Sequence, residues 1–241
     1  MTGLHLRALQ LAGRFGPADV DLASGSVTMV IGPNGAGKTS LFHALIGHGE
    51  VSGDVQLGEI ALASLPPAVR MRHLSFMPAS RDIAWPMRAR DVVALGLAPG
   101  LDPALIDQVL TRLDAMELGA RPINSLSTGE RTRILIARAL VSQPDVILLD
   151  EPLANLDPAW RLRVLALLDE EAERGAIILL SVHDLILARH HHGDVLLVDH
   201  GQLIGQGRPD VIMGDDPLSA IFGVRLTDRG MELAGNNGVA A

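Results

Sequence analysis

One stretch combines residue types and spacing that suit anion chemistry: Gly32-Pro33-Asn34-Gly35-Ala36-Gly37-Lys38-Thr39, followed by Ser40. It has the form G-x-x-x-x-G-K-[ST], a loop whose glycines let backbone N–H groups turn inward around phosphate oxygens. Val27-Thr28-Met29-Val30-Ile31 before it reads as a short buried strand, and residues 39–46 after it read as a helix with an apolar stripe. The helix N-terminus brings roughly half a positive charge to the loop. Lys38 supplies a compact ammonium suited to β- and γ-phosphate oxygens, and Thr39 offers a hydroxyl to a magnesium ion.

A second group of chemically capable residues ends the run Asp145-Val146-Ile147-Leu148-Leu149-Asp150-Glu151. A continuous apolar run suits a strand covered on both faces, and ligands gather at the carboxyl ends of such strands. Asp150 is expected to orient the metal, and Glu151 to polarise an attacking water as general base. Two acids after a strand are by themselves an ordinary solvated turn. The loop about 110 residues upstream makes them the second half of one site.

The composition sharpens the reading of Lys38. Among the 20 basic residues, 19 are arginine and one is lysine. Arginine replaces lysine on most surfaces, so the lone lysine is either a chance survivor of codon bias or a position where guanidinium fails. Its place in the loop favours the second. The chain has 241 residues, a formal charge of −8 and 48% apolar content, which suits a folded domain with a sizeable core. The acidic balance argues against a sequence-independent nucleic-acid binder, and no nucleic-acid partner is expected. The absence of cysteine excludes disulfides and thiolate chemistry. The start lacks the basic head and apolar stretch of a secretory signal, and no run approaches the ~18 apolar residues of a membrane span.

Between the two groups lies Leu126-Ser127-Thr128-Gly129-Glu130-Arg131, a small-residue turn opening another helix. Here the chain resembles the ATP-binding-cassette (ABC) ATPases, whose signature is Leu-Ser-Gly-Gly-Gln. Thr128 departs from the usual glycine and threatens to crowd the turn; Glu130 for Gln is milder. Ala154-Asn155-Leu156-Asp157 resembles the family's D-loop, with Asp157 at its acidic position. Ser181-Val182-His183-Asp184 resembles its switch motif, with His183 as the γ-phosphate sensor. The resemblance runs from about residue 4 to 226. It implies a P-loop NTPase core of α/β class, with a mixed sheet, an antiparallel β subdomain and an inserted helical lobe. It also implies ATP and Mg²⁺ as ligands, with Ser127 and Gly129 contacting the γ-phosphate held by a second copy. The expected assembly is a head-to-tail homodimer enclosing two ATPs, docked on separate transmembrane permease subunits at the cytoplasmic side of the inner membrane.

Two departures from the family carry consequences. Ala79 stands after Pro78 where a metal-contacting Gln is usual, and no Gln occurs between Gln56 and Gln108. A ligand or coupling contact is then missing, or taken over by Ser80 or water. The outcome is either a slower working enzyme or a subunit that binds and barely hydrolyses. The family also stacks adenine on an upstream aromatic. With no tyrosine, Phe15 is the aromatic available before Gly32, with the Arg14 guanidinium as a substitute and a core role for Phe15 as the plain alternative. Weak base contacts predict that ATP and GTP bind within a few-fold of each other.

The elements that position these residues follow from the patterning. Strands are expected near 4–10, 18–22, 27–31, 53–57, 73–77, 145–149, 176–181, 194–199 and 202–206. Helices are expected near 38–47, 67–71, 88–97, 103–116, 130–142, 158–173, 184–191 and 217–222. The chain then reads as one domain over 1–230, with a core of about 1–86 and 143–230, a helical lobe of about 87–142, and a flexible tail at 231–241. Looser patterns at 88–96, 201–209 and 221–224 are similar to ATPase subunits importing iron chelates, haem or vitamin B12. A non-transport ATP clamp and an export ATPase are the rival readings. Trp85 either lines a groove for a membrane partner or packs under the lobe. His190-His191-His192 reads as a surface cluster, because consecutive helical residues point apart and cannot share one ion.

Overall fold

The computed structural model describes residues 3–81, 83, 85–227 and 230–234. In chain order the strands are β1 (Leu4–Leu11), β2 (Phe15–Leu22), β3 (Val27–Ile31), β4 (Val51–Leu57), β5 (Ile60–Ala61), β6 (Leu74–Met77), β7 (Val146–Leu149), β8 (Ile177–Ser181), β9 (Val195–Asp199), β10 (Gln202–Gly207), β11 (Val224–Thr227) and β12 (Gly230–Leu233). The helices are α1 (Lys38–Leu45), α2 (Pro67–Arg70), α3 (Ala89–Ala94), α4 (Ala104–Arg112), α5 (Thr128–Leu140), α6 (Pro158–Glu173), α7 (Leu185–Arg189), α8 (Pro209–Ile212) and α9 (Asp215–Phe222).

The main sheet has the order β10-β9-β3-β8-β7-β6. The five strands β9, β3, β8, β7 and β6 run parallel, and β10 closes the edge antiparallel to β9. A second, antiparallel sheet has the order β2-β1-β4-β5. The apolar runs of β3, β7, β8 and β9 are explained by burial on both faces. Alternate residues point opposite ways, so Val30, Leu148, Leu179 and Leu196 join a core shared with α1 and the antiparallel sheet. Their neighbours Met29, Ile147, Ile178 and Leu197 join a core shared with α3, α4, α5 and α6. The sheet is thus filled from both sides, and its parallel carboxyl ends share one rim.

The helical segment between β6 and β7 is tied to the core by a buried acid. Glu171 on α6 is fully buried and pairs with Arg112 of α4 at 2.5 Å and with Arg174. A carboxylate removed from water needs such partners.

Three differences from the sequence reading have local causes. Helix α4 stops at Arg112 instead of 116, because Asp114 takes a positive φ of 48° and a 3₁₀ turn follows at Met116–Leu118. The two-residue β5, the short α8 and the β11–β12 hairpin carry too few residues to show a periodicity. The hairpin also corrects the start of the expected flexible tail: residues 231–233 are paired in β12. Positions 235–241 of that tail lie outside the described residues.

Candidate functional site

The rim is built from the ends of the five parallel strands. Beyond β3 the chain passes through the glycine-rich loop into α1, whose N-cap Gly37 has φ 108° and no side-chain cap. That left-handed conformation favours glycine, and a Cβ there would lie 3.1 Å from Gly201 Cα. At Gly32 a Cβ would lie 2.2 Å from the Val198 carbonyl oxygen, so the loop can leave β3 only without a side chain. The turn after β9 braces it further, the Gly201 N–H donating to the Ala36 carbonyl at 2.8 Å.

Lys38 is buried in this loop, and its Nζ donates to the carbonyls of Gly32 at 2.8 Å and Pro33 at 3.0 Å. Burial lowers its pKa, while the Glu151 and Asp150 carboxylates push it back up. Residues 34–40, with Glu151 and His183, line a cleft of about 180 Å³. The sequence-predicted residues Asn34, Gly35, Ala36, Gly37, Lys38, Thr39, Ser40, Glu151 and His183 therefore meet in one place.

Asp150 follows β7 and is fully buried. It accepts from the Thr39 hydroxyl at 2.6 Å and from the Ser181 hydroxyl at 2.5 Å. Ser181 in turn accepts the Glu151 N–H at 2.8 Å. Glu151 has φ 53°, a left-handed conformation that costs a residue with a side chain about 1–3 kcal/mol. Its carbonyl accepts from Arg81 Nη2, and its Oε1 lies 2.5 Å from His183 Nε2.

The donor set fits magnesium. Thr39 and Asp150 place a hydroxyl and a carboxylate side by side at the mouth of the anion loop, and Mg²⁺ takes hard oxygen ligands, commonly one or two carboxylates with the substrate's phosphates.

Ser127, Gly129 and Asp157 do not join this cleft. Ser127 is the N-cap of α5 and closes a capping box, its Oγ accepting from Glu130 N–H at 3.3 Å and its own N–H donating to Glu130 Oε2 at 2.8 Å. Glu130 in place of Gln thus serves the cap, and Arg121 pairs with it at 3.1 Å. Thr128 is the exposed first residue of α5, so its branched side chain points into solvent and does not crowd this turn. Asp157 caps α6 through the Trp160 N–H at 2.9 Å.

The expected base contact of Phe15 is corrected, and one of the two readings of Trp85 falls away. Phe15 is 2% exposed, packed in the core beneath the antiparallel sheet, so it presents no face to a base. Arg14 beside it is exposed. Trp85 is 74% exposed and does not pack under the helical lobe. The histidine run diverges: His190 Nδ1 reaches the Ile186 carbonyl, His191 Nε2 the Val27 carbonyl, and His192 the Asp169 carboxylate. Among the described residues no group of three or more His, Cys, Asp or Glu could hold a metal ion.

The sequence reading assigned no role to two residues of the rim. Ser181 is the hydroxyl ending an apolar strand, and that strand lies beside β7; the pairing was the missing signal. Arg81 follows the position where Gln is absent, and only the fold places it against Glu151.

Residues 15–154 match the family described as ABC transporter. The hemin import ATP-binding protein HmuV of Pseudomonas fluorescens is 36% identical over 219 residues, covering 86% of this chain and 86% of that protein. HmuV of Mesorhizobium japonicum is 31% identical, over 91% of this chain and 90% of that protein. The cobalamin import ATP-binding protein BtuD of Halobacterium salinarum is 31% identical over 94% of this chain and 59% of its own length. Among solved structures, an ATP-binding subunit of an ABC transporter superposes with a TM-score of 0.78 at 24% identity, covering 88% of this chain and 92% of that one. The likeness of that structure is one of fold.

Proposed function

This chain belongs to the ABC transporter family and is an ATPase of that family, and on that premise we propose that it drives import of a metal chelate, haem or a cobalamin-type cargo through separate membrane permease subunits. The relatives at 31–36% identity are import subunits for hemin and cobalamin, which supports import over export and this class of cargo. No helix among the described residues is long and apolar enough to cross a membrane. The protein acts at the cytoplasmic side of the inner membrane, bound to its permease, and exposed Trp85 is a candidate for that contact.

The observation that carries the reading is the convergence of Lys38, Thr39, Asp150, Glu151 and His183 on one rim. Backbone amides of residues 34–39 and the Lys38 ammonium hold the phosphates of ATP. The phosphate oxygens take over the place of the Gly32 and Pro33 carbonyls around Nζ. Thr39 and Asp150 would hold Mg²⁺, which neutralises phosphate charge when bound. Glu151 accepts a proton from the attacking water as its oxygen bonds to the γ-phosphorus and the bond from that phosphorus to the β–γ bridging oxygen breaks, releasing ADP and phosphate, and His183 holds the carboxylate and the γ-phosphate in register. Ser127 and Gly129 are exposed or half-buried and absent from the cleft of their own chain, which supports completion of each site by a second copy, with Asp157 at the same junction.

Uptake tests the whole reading. A strain lacking this gene should fail to accumulate one of haem, a ferric chelate or cobalamin. The parent gene should restore uptake and Lys38→Ala should not. Unchanged accumulation of all three in the deletion strain would overturn the cargo class.

A further inference from the structure

Arg81 is the rim residue that none of the motifs explains. It lies on the segment after β6, beside the acids that follow β7. These two strands are parallel neighbours, with Met77 opposite Leu149, and the Asp150 N–H continues the ladder onto the Met77 carbonyl at 2.8 Å. The fold therefore carries the residues just beyond β6 alongside Glu151.

There Arg81 Nη2 donates to the Glu151 carbonyl, and Nη1 reaches the Ala79 carbonyl at 3.4 Å. Its Nε is buried and takes no partner among the described residues. An arginine ordinarily keeps its head in water while its stem covers apolar surface. This head is turned inward at a desolvation cost that lowers its pKa, offset by Glu151 and Asp150. The position it grips is the left-handed one. Glu151 at φ 53° is held on its N–H by Ser181 and on its C=O by Arg81, a clamp on both sides of a strained residue.

We propose that Arg81 is a positioning residue for Glu151, its guanidinium fixing the Glu151 backbone so that the carboxylate stays directed at the water and at His183. The proposal rests on the reading of Glu151 as the water-activating base. It also gives the loop with Ala79 a role suited to its own residues: a cation two positions on holds the catalytic acid through its backbone.

The test is a double-mutant cycle on the full chain, with single-turnover hydrolysis of Mg-ATP and nucleotide affinity measured for the parent, Arg81→Ala, Arg81→Lys, Glu151→Gln and the combined Arg81→Ala/Glu151→Gln. Arg81→Ala should slow hydrolysis about ten-fold or more while affinity stays within about two-fold, and Arg81→Lys should recover part of the loss. Added to Glu151→Gln, Arg81→Ala should cost less than about two-fold, because its effect passes through Glu151. A rate within two-fold of the parent for Arg81→Ala, a parallel loss of affinity, or full additivity in the cycle would overturn the proposal. Hydrolysis by Glu151→Gln at the parental rate would instead sink the underlying reading of Glu151, in protein whose Arg81 is intact.

Discussion

The hydroxyl of Thr39 donates to the carboxylate of Asp150 at 2.6 Å, across 111 positions of sequence. This contact joins the anion loop to the acidic strand end, and Ser181 closes it from the other side. Ser181→Ala removes one donor from a fully buried carboxylate and the acceptor of the Glu151 N–H. We expect a loss of about 1–3 kcal/mol in urea unfolding together with slower hydrolysis. Unchanged stability would show that water takes over both bonds.

Completion of each site by a second copy predicts complementation. Lys38→Ala fails at the phosphates, and Ser127→Arg blocks the site of the partner copy. Each alone should be inactive. Mixed in equal amounts, half of the dimers are hybrids with one intact site, so about a quarter of parental turnover should return. No recovery on mixing, with dimers formed, would argue against sharing.

The α5 cap has a defined pH dependence. The Ser127 N–H, together with the Ser127 side chain and Arg121, holds the Glu130 carboxyl below its ordinary range. A carboxyl with a lowered folded-state pKa contributes stability above its unfolded value and loses it as pH falls through the folded one. Glu130→Gln keeps an acceptor and drops the charge, so the parent should be more stable by about 0.5 kcal/mol at neutral pH. That gap should close as pH falls below about 4. Thermal melts of both proteins over this range decide it.

Burial of Phe15 moves it from nucleotide choice to stability. Phe15→Ala should cost about 3–5 kcal/mol on unfolding, the usual range for emptying a buried aromatic site. It should leave the ratio of ATP to GTP affinity unchanged. That ratio is expected to lie within a few-fold of one, since the phosphates carry the binding. A strong ATP preference in competition binding would reveal another adenine pocket.

Much of this was legible in the sequence because the relevant signals are local. Gly32 to Thr39 form a contiguous motif between a strand and a helix. The runs before Asp150 and Ser181 are apolar throughout because both faces of their strands are covered. What stayed hidden depends on contacts between distant elements. Ser181 matters through β7 lying beside β8, and Arg81 through β6 lying beside β7. For Phe15 a base contact and a core role were both open in the sequence, and its place in β2, packed with β1 and α1, is what buries it. Thr128 looked obstructive against the family signature, yet as the first residue of α5 it faces solvent.

The central claim is that Glu151 activates water for ATP hydrolysis at the Lys38 loop. Steady-state turnover of Mg-ATP by the parent and by Glu151→Gln, at matched dimer concentration and with nucleotide affinity measured alongside, tests it directly. The account predicts a fall of about a hundred-fold or more in kcat with affinity retained. Equal turnover by the two proteins would contradict it.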